Sequence, residues 1–263
     1  MRLKISHMTE YSYAEPVEFA LQRLRLTPQD CPGQHVISWQ TSVNGAGREA
    51  VYTDHFGNRV ELVSVNDGAQ SINIMAMGEV ETQERNGVFG PHIGYVPLWL
   101  YLRDTPRTKP GKLVKELARG VEGEGDLARM HGLMGTIAQT VEYKKGATDS
   151  ETTAEQSMEL KAGVCQDFAN IFISVARHLG LPARYVSGYM LDESGMDAAS
   201  HAWAEAHIQG LGWVGFDPAN DICPDERYVR LASGLDYADT APVSGMRTGD
   251  SPEMITVSVS VEQ

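Results

Sequence analysis

Cysteine is scarce in this chain of 263 residues: Cys31, Cys165 and Cys223 are all it has. Three scattered thiols cannot form a disulfide framework, and an odd number fits a reducing compartment, so the cytoplasm is the expected location. Long apolar runs are missing too. No stretch approaches the roughly 20 residues that a membrane helix needs, and Met1-Arg2-Leu3-Lys4-Ile5-Ser6-His7 lacks the apolar region of a signal peptide. Positive charge is in short supply: 22 lysines and arginines against 35 aspartates and glutamates leave a formal net charge of −13. Nucleic acid and anionic membrane both require a basic surface, so neither is expected as a partner. An acidic surface favours a cationic substrate instead. What the chain does have is 42% hydrophobic residues, enough for a packed core at this length.

One of the three cysteines stands in a distinctive place. Gly163-Val164-Cys165-Gln166-Asp167-Phe168-Ala169 sets a thiol between a glycine turn and an apolar helix in which Phe168, Ile171, Phe172, Val175 and Leu179 recur at helical spacing. Gly180 and Pro182 supply the stop. At a helix start the unpaired backbone N–H groups and the positive end of the macrodipole favour thiolate over thiol. Alone, such a cysteine is more often a small buried apolar residue than a nucleophile. A nucleophile needs a histidine and a carboxylate from elsewhere. Ser200-His201-Ala202-Trp203-Ala204-Glu205-Ala206 alternates with a period of two, and Gly212-Trp213-Val214-Gly215-Phe216-Asp217-Pro218 is an apolar run ending at an acid. Both read as strands of one hairpin. A histidine opening one strand then lies beside an aspartate closing the next, as base and orienting acid for the thiol. Trp203, one period along from His201, would shield that pair from water or serve as a core tryptophan. Gln166 is either a second oxyanion donor beside the Cys165 backbone N–H or a solvated first-turn residue, and Asp167 is expected to stabilise the helix N-terminus. Zinc is not expected from Cys165, His201, His207 and Cys223, because His201 and His207 are six apart and no cysteine pair has ligand spacing. No cofactor is called for.

The order Cys165, His201, Asp217, set in G-V-C-Q-D-F-A, G-L-P-A-R-Y-V-S-G-Y, H-A-W-A-E and G-W-V-G-F-D-P-A-N, resembles the bacterial transglutaminase-like family of cysteine acyl-transfer enzymes. By position, the resemblance implies Cys165 as nucleophile, His201 as base and Asp217 as orienting acid, within a papain-like arrangement. Gln166 stands where animal transglutaminases carry tryptophan, which points to the prokaryotic branch, and Ala219 stands where many relatives have threonine. Tyr143 matches an aromatic that in relatives lies near the oxyanion site. I-S-H-M-T-E-Y-S-Y, L-R-L-T-P and D-H-F-G-N resemble the N-terminal domain that bacterial members carry. His7 and His55 fall inside these matches, and they are read as hydrogen-bonded structural residues.

The organisation that follows is α+β. Residues 1–85 form an antiparallel β-sandwich, inferred from period-two sets such as Leu3 and Ile5; Leu24 and Leu26; Ile37, Trp39, Thr41 and Val43; Val60 and Leu62; and Ile72, Ile74 and Ala76. Turn chemistry separates them, Asn66-Asp67-Gly68 included. Residues 86–111, broken by Pro91, Pro97, Pro106 and Pro110, are a linker. Residues 112–263 are the transglutaminase-like core, helices packed on an antiparallel sheet, with Asp126 capping one helix, Thr153 and Gln156 forming a capping box on another, and Ile255 to Val261 as a final strand. The polar loop from Leu191 to Ala199 is placed to shape access to the base. The expected activity is cysteine-dependent acyl transfer on a peptide or other amide, through a thioester and ending in hydrolysis. Alternatives are a transglutaminase with an amine acceptor, or a non-catalytic binding module of the same fold.

Overall fold

The alternation of the first 82 residues folds as β1 (Arg2–Val17), β2 (Ala20–Leu24), β3 (Gln34–Asn44), β4 (Ala46–Thr53), β5 (Arg59–Val65) and β6 (Ala69–Thr82). The structure, a computed structural model, describes residues 1–65, 68–192, 200–248 and 252–263. Next come β7 (Val88–Gly90), a 3-10 turn over Leu98–Leu102, α1 (Lys112–Arg119), α2 (Gly125–Thr140), β8 (Glu142–Tyr143), α3 (Ala154–Leu160), β9 (Ala162–Gly163) and α4 (Cys165–His178). The chain continues through β10 (Ala183–Met190), β11 (Ser200–Ile208), β12 (Gly212–Phe216), β13 (Tyr228–Gly234), α5 (Tyr237–Thr240), β14 (Val243–Arg247) and β15 (Glu253–Glu262). The fold is α+β, with helices on an antiparallel sheet beside a β-sandwich. Among the described residues no helix is long and apolar enough to cross a membrane.

The sandwich pairs two sheets, ordered β15-β1-β6-β3 and β14-β2-β5-β4, over a core holding Leu24, Leu26, Ile72, Ile74 and Ala76. Its outer strands correct the expected boundary of the core at residue 263. β15 runs antiparallel along β1 from Tyr13↔Glu253 to Lys4↔Glu262, and β14 along β2, so the chain returns to its first domain after Thr240. Alternation over Ile255 to Val261 marks a strand but not its partner; β1 and β2 would otherwise present open edges, and pairing removes them. Two residues also sit out of the expected phase. A bulge between Val36 and Ser38 makes Ile37 the extra residue, 42% exposed, while Trp39, Thr41 and Val43 stay half-buried. On β5 the buried set includes Val63 and Val65, and Leu62 is only half-buried. Of the expected turn at Asn66-Asp67-Gly68, the first two residues lie outside the described ones.

If the last strands belong to the sandwich, a chain ending at Thr240 should lose its folded N-terminal half, because Tyr13, Leu3 and Ile5 would sit on an uncovered edge strand. Thermal unfolding followed by circular dichroism should then show the β signal lost or its midpoint lowered by more than 10 °C, on the order expected when several kcal/mol of packing is removed from a domain. An unchanged midpoint would return the segment to the core.

Segment 86–111 is more than a linker. β7 adds an edge strand to the core sheet, whose order is β13-β10-β11-β12-β7, and Tyr101 packs edge-on against Trp213 with ring centroids 5.0 Å apart. Across the opposite face of that sheet lies α4, its Phe168, Ile171, Phe172 and Val175 fully enclosed and Phe172 stacked on Phe216. The capping box on α3 forms as expected, Thr153 and Gln156 exchanging hydrogen bonds. Asp126 does not cap α2. It lies in the first turn and pairs with Arg129, and Glu124 holds the N-cap position without a side-chain bond. Leu3, Ile5, Val80 and Val261 of the sandwich pack on Tyr189, Val229 and Leu231 of the core, so the two domains share a continuous apolar seam.

Candidate active site

Cys165 is the first residue of α4, preceded by an extended Val164 and by Gly163, whose missing Cβ leaves room for Asp167: a methyl there would stand 2.6 Å from the Asp167 Cβ. The buried Asp167 carboxylate accepts the Val164 backbone N–H at 2.8 Å and the Thr148 hydroxyl at 2.6 Å. It therefore holds the helix start in place, as its position implies. Burial raises its carboxyl above the usual range, against those two hydrogen bonds. The Cys165 backbone N–H belongs to the first turn, where helices leave donors unpaired.

The β11–β12 hairpin pairs Ala204 with Phe216, so His201 enters at one strand's start and Asp217 leaves at the other's end. There His201 Nε2 and Asp217 Oδ2 are 2.6 Å apart, and the imidazole also shares a hydrogen bond with Cys165. Since Asp217 occupies Nε2, Nδ1 is the nitrogen that faces the thiol. The structure thus brings Cys165, His201 and Asp217 into one file.

Asp217 is fully buried, and its Oδ2 also accepts Asn220 Nδ2 and the Tyr228 hydroxyl, each at 2.7 Å, while Oδ1 accepts the Ala219 backbone N–H at 3.1 Å. Burial on its own would raise this carboxyl, but the bonds and charge from His201, with Asn220 and Tyr228, hold it below its ordinary range. Burial likewise opposes charge on His201; hydrogen bonds to Asp217 and Cys165, and their charges, win and push it up to about 10. The partners of His201 thus favour its protonated form against the effect of burial.

The weaker candidates fall as follows. Gln166 donates its side-chain amide to the Asp149 carbonyl, tying down the 145–152 loop, although it still borders the cleft. Tyr143 lies beyond α2, which stops at Thr140, and pairs with Gly163 in the short parallel β8–β9 bridge, which sets its half-exposed ring at the cleft near Phe168. Trp203 is fully buried, stacked on His201 and edge-on to Tyr228, so it covers the imidazole from behind. Sequence reasoning missed Asn220, Tyr228 and Tyr185. Asn220 is three residues past Asp217, and its amide beside a carboxylate was the available signal. Tyr228 comes from β13, which only the sheet order places near the histidine. Tyr185 is buried with its hydroxyl pushed well up by burial and by the charge of Cys165, which marks it as a neighbour of the thiol. Of the expected access loop, residues 193–199 lie outside the described ones.

The site opens into a cleft of about 460 Å³ between the two domains. Cys165, His201 and Tyr185 form one side, and the sandwich supplies the other through Thr9 and Tyr11 of β1 and Ile255 and Val257 of β15. His7 sits at the same seam with both ring nitrogens engaged, by the Tyr189 hydroxyl at 2.8 Å and the Thr9 hydroxyl at 3.1 Å, and burial lowers it to about 4. No carboxylate lines this cleft among the described residues. Nor is any group of three or more His, Cys, Asp or Glu among them arranged to hold a metal ion.

Cys165 should outreact the other two cysteines, because it alone shares a hydrogen bond with an imidazolium. Burial raises the Cys31 thiol, and it pushes Cys223 up to about 11. Brief treatment with iodoacetamide near pH 6, mapped by peptide mass, is expected to label Cys165 at least tenfold faster. Equal labelling of all three would remove the argument for an activated thiol.

Comparison with known proteins places this geometry in context. Residues 3–81 match the model of the bacterial transglutaminase-like N-terminal region, and residues 112–218 match that of the transglutaminase-like superfamily. An uncharacterized protein of Mycobacterium leprae is 26% identical over 283 residues, covering 99% of this chain and 98% of its own. One of Mycobacterium tuberculosis H37Rv is 29% identical over 293 residues, covering 99% and 92%. Among solved structures, a candidate cysteine protease from Cytophaga hutchinsonii superposes with a TM-score of 0.80 at 23% identity, covering all of this chain and 91% of its own. At that identity the likeness speaks for the fold.

Proposed function

We propose that this chain, whose residues 112–218 carry the transglutaminase-like core and residues 3–81 the bacterial transglutaminase-like N-terminal region, is a cysteine-dependent acyl-transfer enzyme that cleaves an amide and passes the acyl group to water. The observation that carries this reading is the Cys165–His201–Asp217 file, whose first two members line a cleft of about 460 Å³ between the domains. The Cys165 thiolate attacks the carbonyl carbon, and charge on the carbonyl oxygen faces the Cys165 backbone N–H at the helix start. The His201 imidazolium gives its proton to the departing amine, and the C–N bond breaks to leave a thioester. Neutral His201 then takes a proton from water as its oxygen attacks the thioester; the thiolate departs and the acid is released. Asp217 keeps the imidazole turned throughout.

The cleft walls refine the substrate. Tyr11, Val243, Ile255 and Val257 offer apolar surface, and the absence of a carboxylate among the described lining residues outweighs the attraction that the −13 surface has for cations at longer range, since that attraction is screened within about 8 Å at physiological salt. An acyl group with an apolar side chain fits best. Water as acceptor is supported by the half-exposed walls at Ile255, Val257 and Tyr143, which leave the thioester within reach of solvent. Once a peptide screen yields an amide substrate, turnover with a large excess of a primary amine decides the acceptor. Mainly free acid is expected; mainly amine adduct at millimolar amine would make the protein a transglutaminase.

A further inference from the structure

The core sheet has a second face, turned from the helices towards the sandwich, and it carries a buried row of charge that the reaction does not use. Arg184 on β10 stands opposite Glu205 on β11, and Arg230 comes in from β13. Each oxygen of the Glu205 carboxylate takes one arginine, Oε2 from Arg184 and Oε1 from Arg230. The carboxylate is fully buried, and the arginine side chains are only 12% and 15% exposed. Two cations therefore share one anion inside a protein whose net charge is −13. A buried charge without a counter-charge is costly, and such excess is normally offset by a partner. Asp30, the acid that lines the cavity beside this row, does not serve: its side chain is 65% exposed and turned to the Val36 N–H at 2.7 Å and to His35 at 3.4 Å.

The row borders a cavity of about 300 Å³ at the domain junction, which shares no lining residue with the catalytic cleft. Its walls are aromatic as well as cationic. The Arg184 guanidinium lies 4.0 Å from the centre of the Trp213 ring, and that of Arg230 lies 5.4 Å from the Phe89 ring. Rings against guanidinium faces hold those groups in fixed planes and turn their edges to hydrogen-bond acceptors; the Arg184 edge already meets Glu205 and the Tyr101 hydroxyl, so Arg230 is the chief donor for a further carboxylate. At the mouth, Ile93 and Tyr95 are 90% and 95% exposed, an apolar lip that no described residue covers.

We propose that this junction cavity binds a small organic carboxylate with an aromatic or branched apolar body, its carboxylate on Arg230 and Arg184 and its body against Phe89 and the Ile93–Tyr95 lip. The volume admits a molecule the size of phenylacetate, at the small end of ligand pockets. Adjacent residues of one strand serve the two sites: Arg184 faces the cavity and Tyr185 faces the catalytic thiol.

Isothermal titration calorimetry with phenylacetate tests this directly, with phenylacetamide as the uncharged isostere and inorganic phosphate as an anion without an apolar body. Phenylacetate should saturate one site and bind at least tenfold tighter than either control. It should also slow alkylation of Cys31, which lines the cavity, and leave that of Cys165 unchanged. Arg230→Gln is expected to weaken binding at least tenfold. Because Arg230 also pairs with Glu205, the exposed lip variant Ile93→Asp gives a second reading: weaker phenylacetate binding at an unchanged melting temperature. Absence of saturable binding, equal binding of the amide or of phosphate, or Cys31 left unprotected would each overturn the proposal.

Discussion

Replacing Asp217 with asparagine is expected to lower turnover by about three to four orders of magnitude while the chain stays folded, the scale seen when a triad acid becomes an amide. The structure says why both halves should hold. Oδ2 gathers three donors, from His201, Asn220 and Tyr228, and Oδ1 accepts the Ala219 N–H. An asparagine keeping its oxygen at the first position must set its amide N–H₂ against the Ala219 donor, a buried mismatch worth about 1–3 kcal/mol. Turned the other way, it faces His201 with a donor and fixes the wrong tautomer. The proton affinity of His201 should fall in either case. Burial lowers it, and what raises it to about 10 begins with the Asp217 hydrogen bond. The histidine C–H signals followed by NMR should therefore titrate at lower pH in the variant, with the alkaline limb of the activity profile moving down alongside. A variant that keeps full turnover would take Asp217 out of the mechanism.

The sign of the stability effect follows from the same shifts. His201 holds its proton more tightly folded than unfolded, so its contribution is complete below about pH 6.5 and is lost as pH rises towards about 10. Asp217, held below its ordinary range, contributes above the unfolded carboxylate value and loses that contribution as pH falls through its depressed folded value. The pair should be most stabilising between those limits, near neutral pH.

Removing the thiol should have the larger effect still. Cys165→Ala is expected to lower turnover by about 10⁶-fold, the scale seen when a triad nucleophile is removed, because the thiol that carries the acyl group is gone and water would have to attack the amide directly. The substitution is mild for the fold: the side chain is half-buried, loses one heavy atom, and alanine is at least as good a helix residue as cysteine. Melting temperature measured beside turnover separates the two outcomes. Substantial residual activity at an unchanged melting temperature would mean that acyl transfer does not pass through Cys165.

The residues expected to do the chemistry were legible because each is tied to a local pattern. A helix start has a glycine before it and an apolar period after it, and a hairpin has alternation on both sides of a glycine turn; Cys165, His201 and Asp217 stand at the ends of those patterns, where a chain of fixed geometry must place them. The Thr153–Gln156 box was legible for the same reason, since its bonds span three residues. Tertiary structure alone decided what depends on which strand lies beside which. Alternation over Ile255 to Val261 is equally compatible with either domain, and only pairing with β1 makes Ile255 and Val257 a wall of the catalytic cleft. Tyr228 reaches Asp217, and Arg230 reaches Glu205, because β13 pairs with β10 across more than 35 intervening residues. One extra residue at Ile37 leaves that side chain outside while Trp39, Thr41 and Val43 keep the inward phase, a bulge that the alternation itself does not mark. Period and capping act over a turn of helix or a hairpin, and so they can be read along the chain. Sheet order, bulges and the meeting of buried charges are set by burial of surfaces far apart in sequence, and they exist only once the chain has closed on itself.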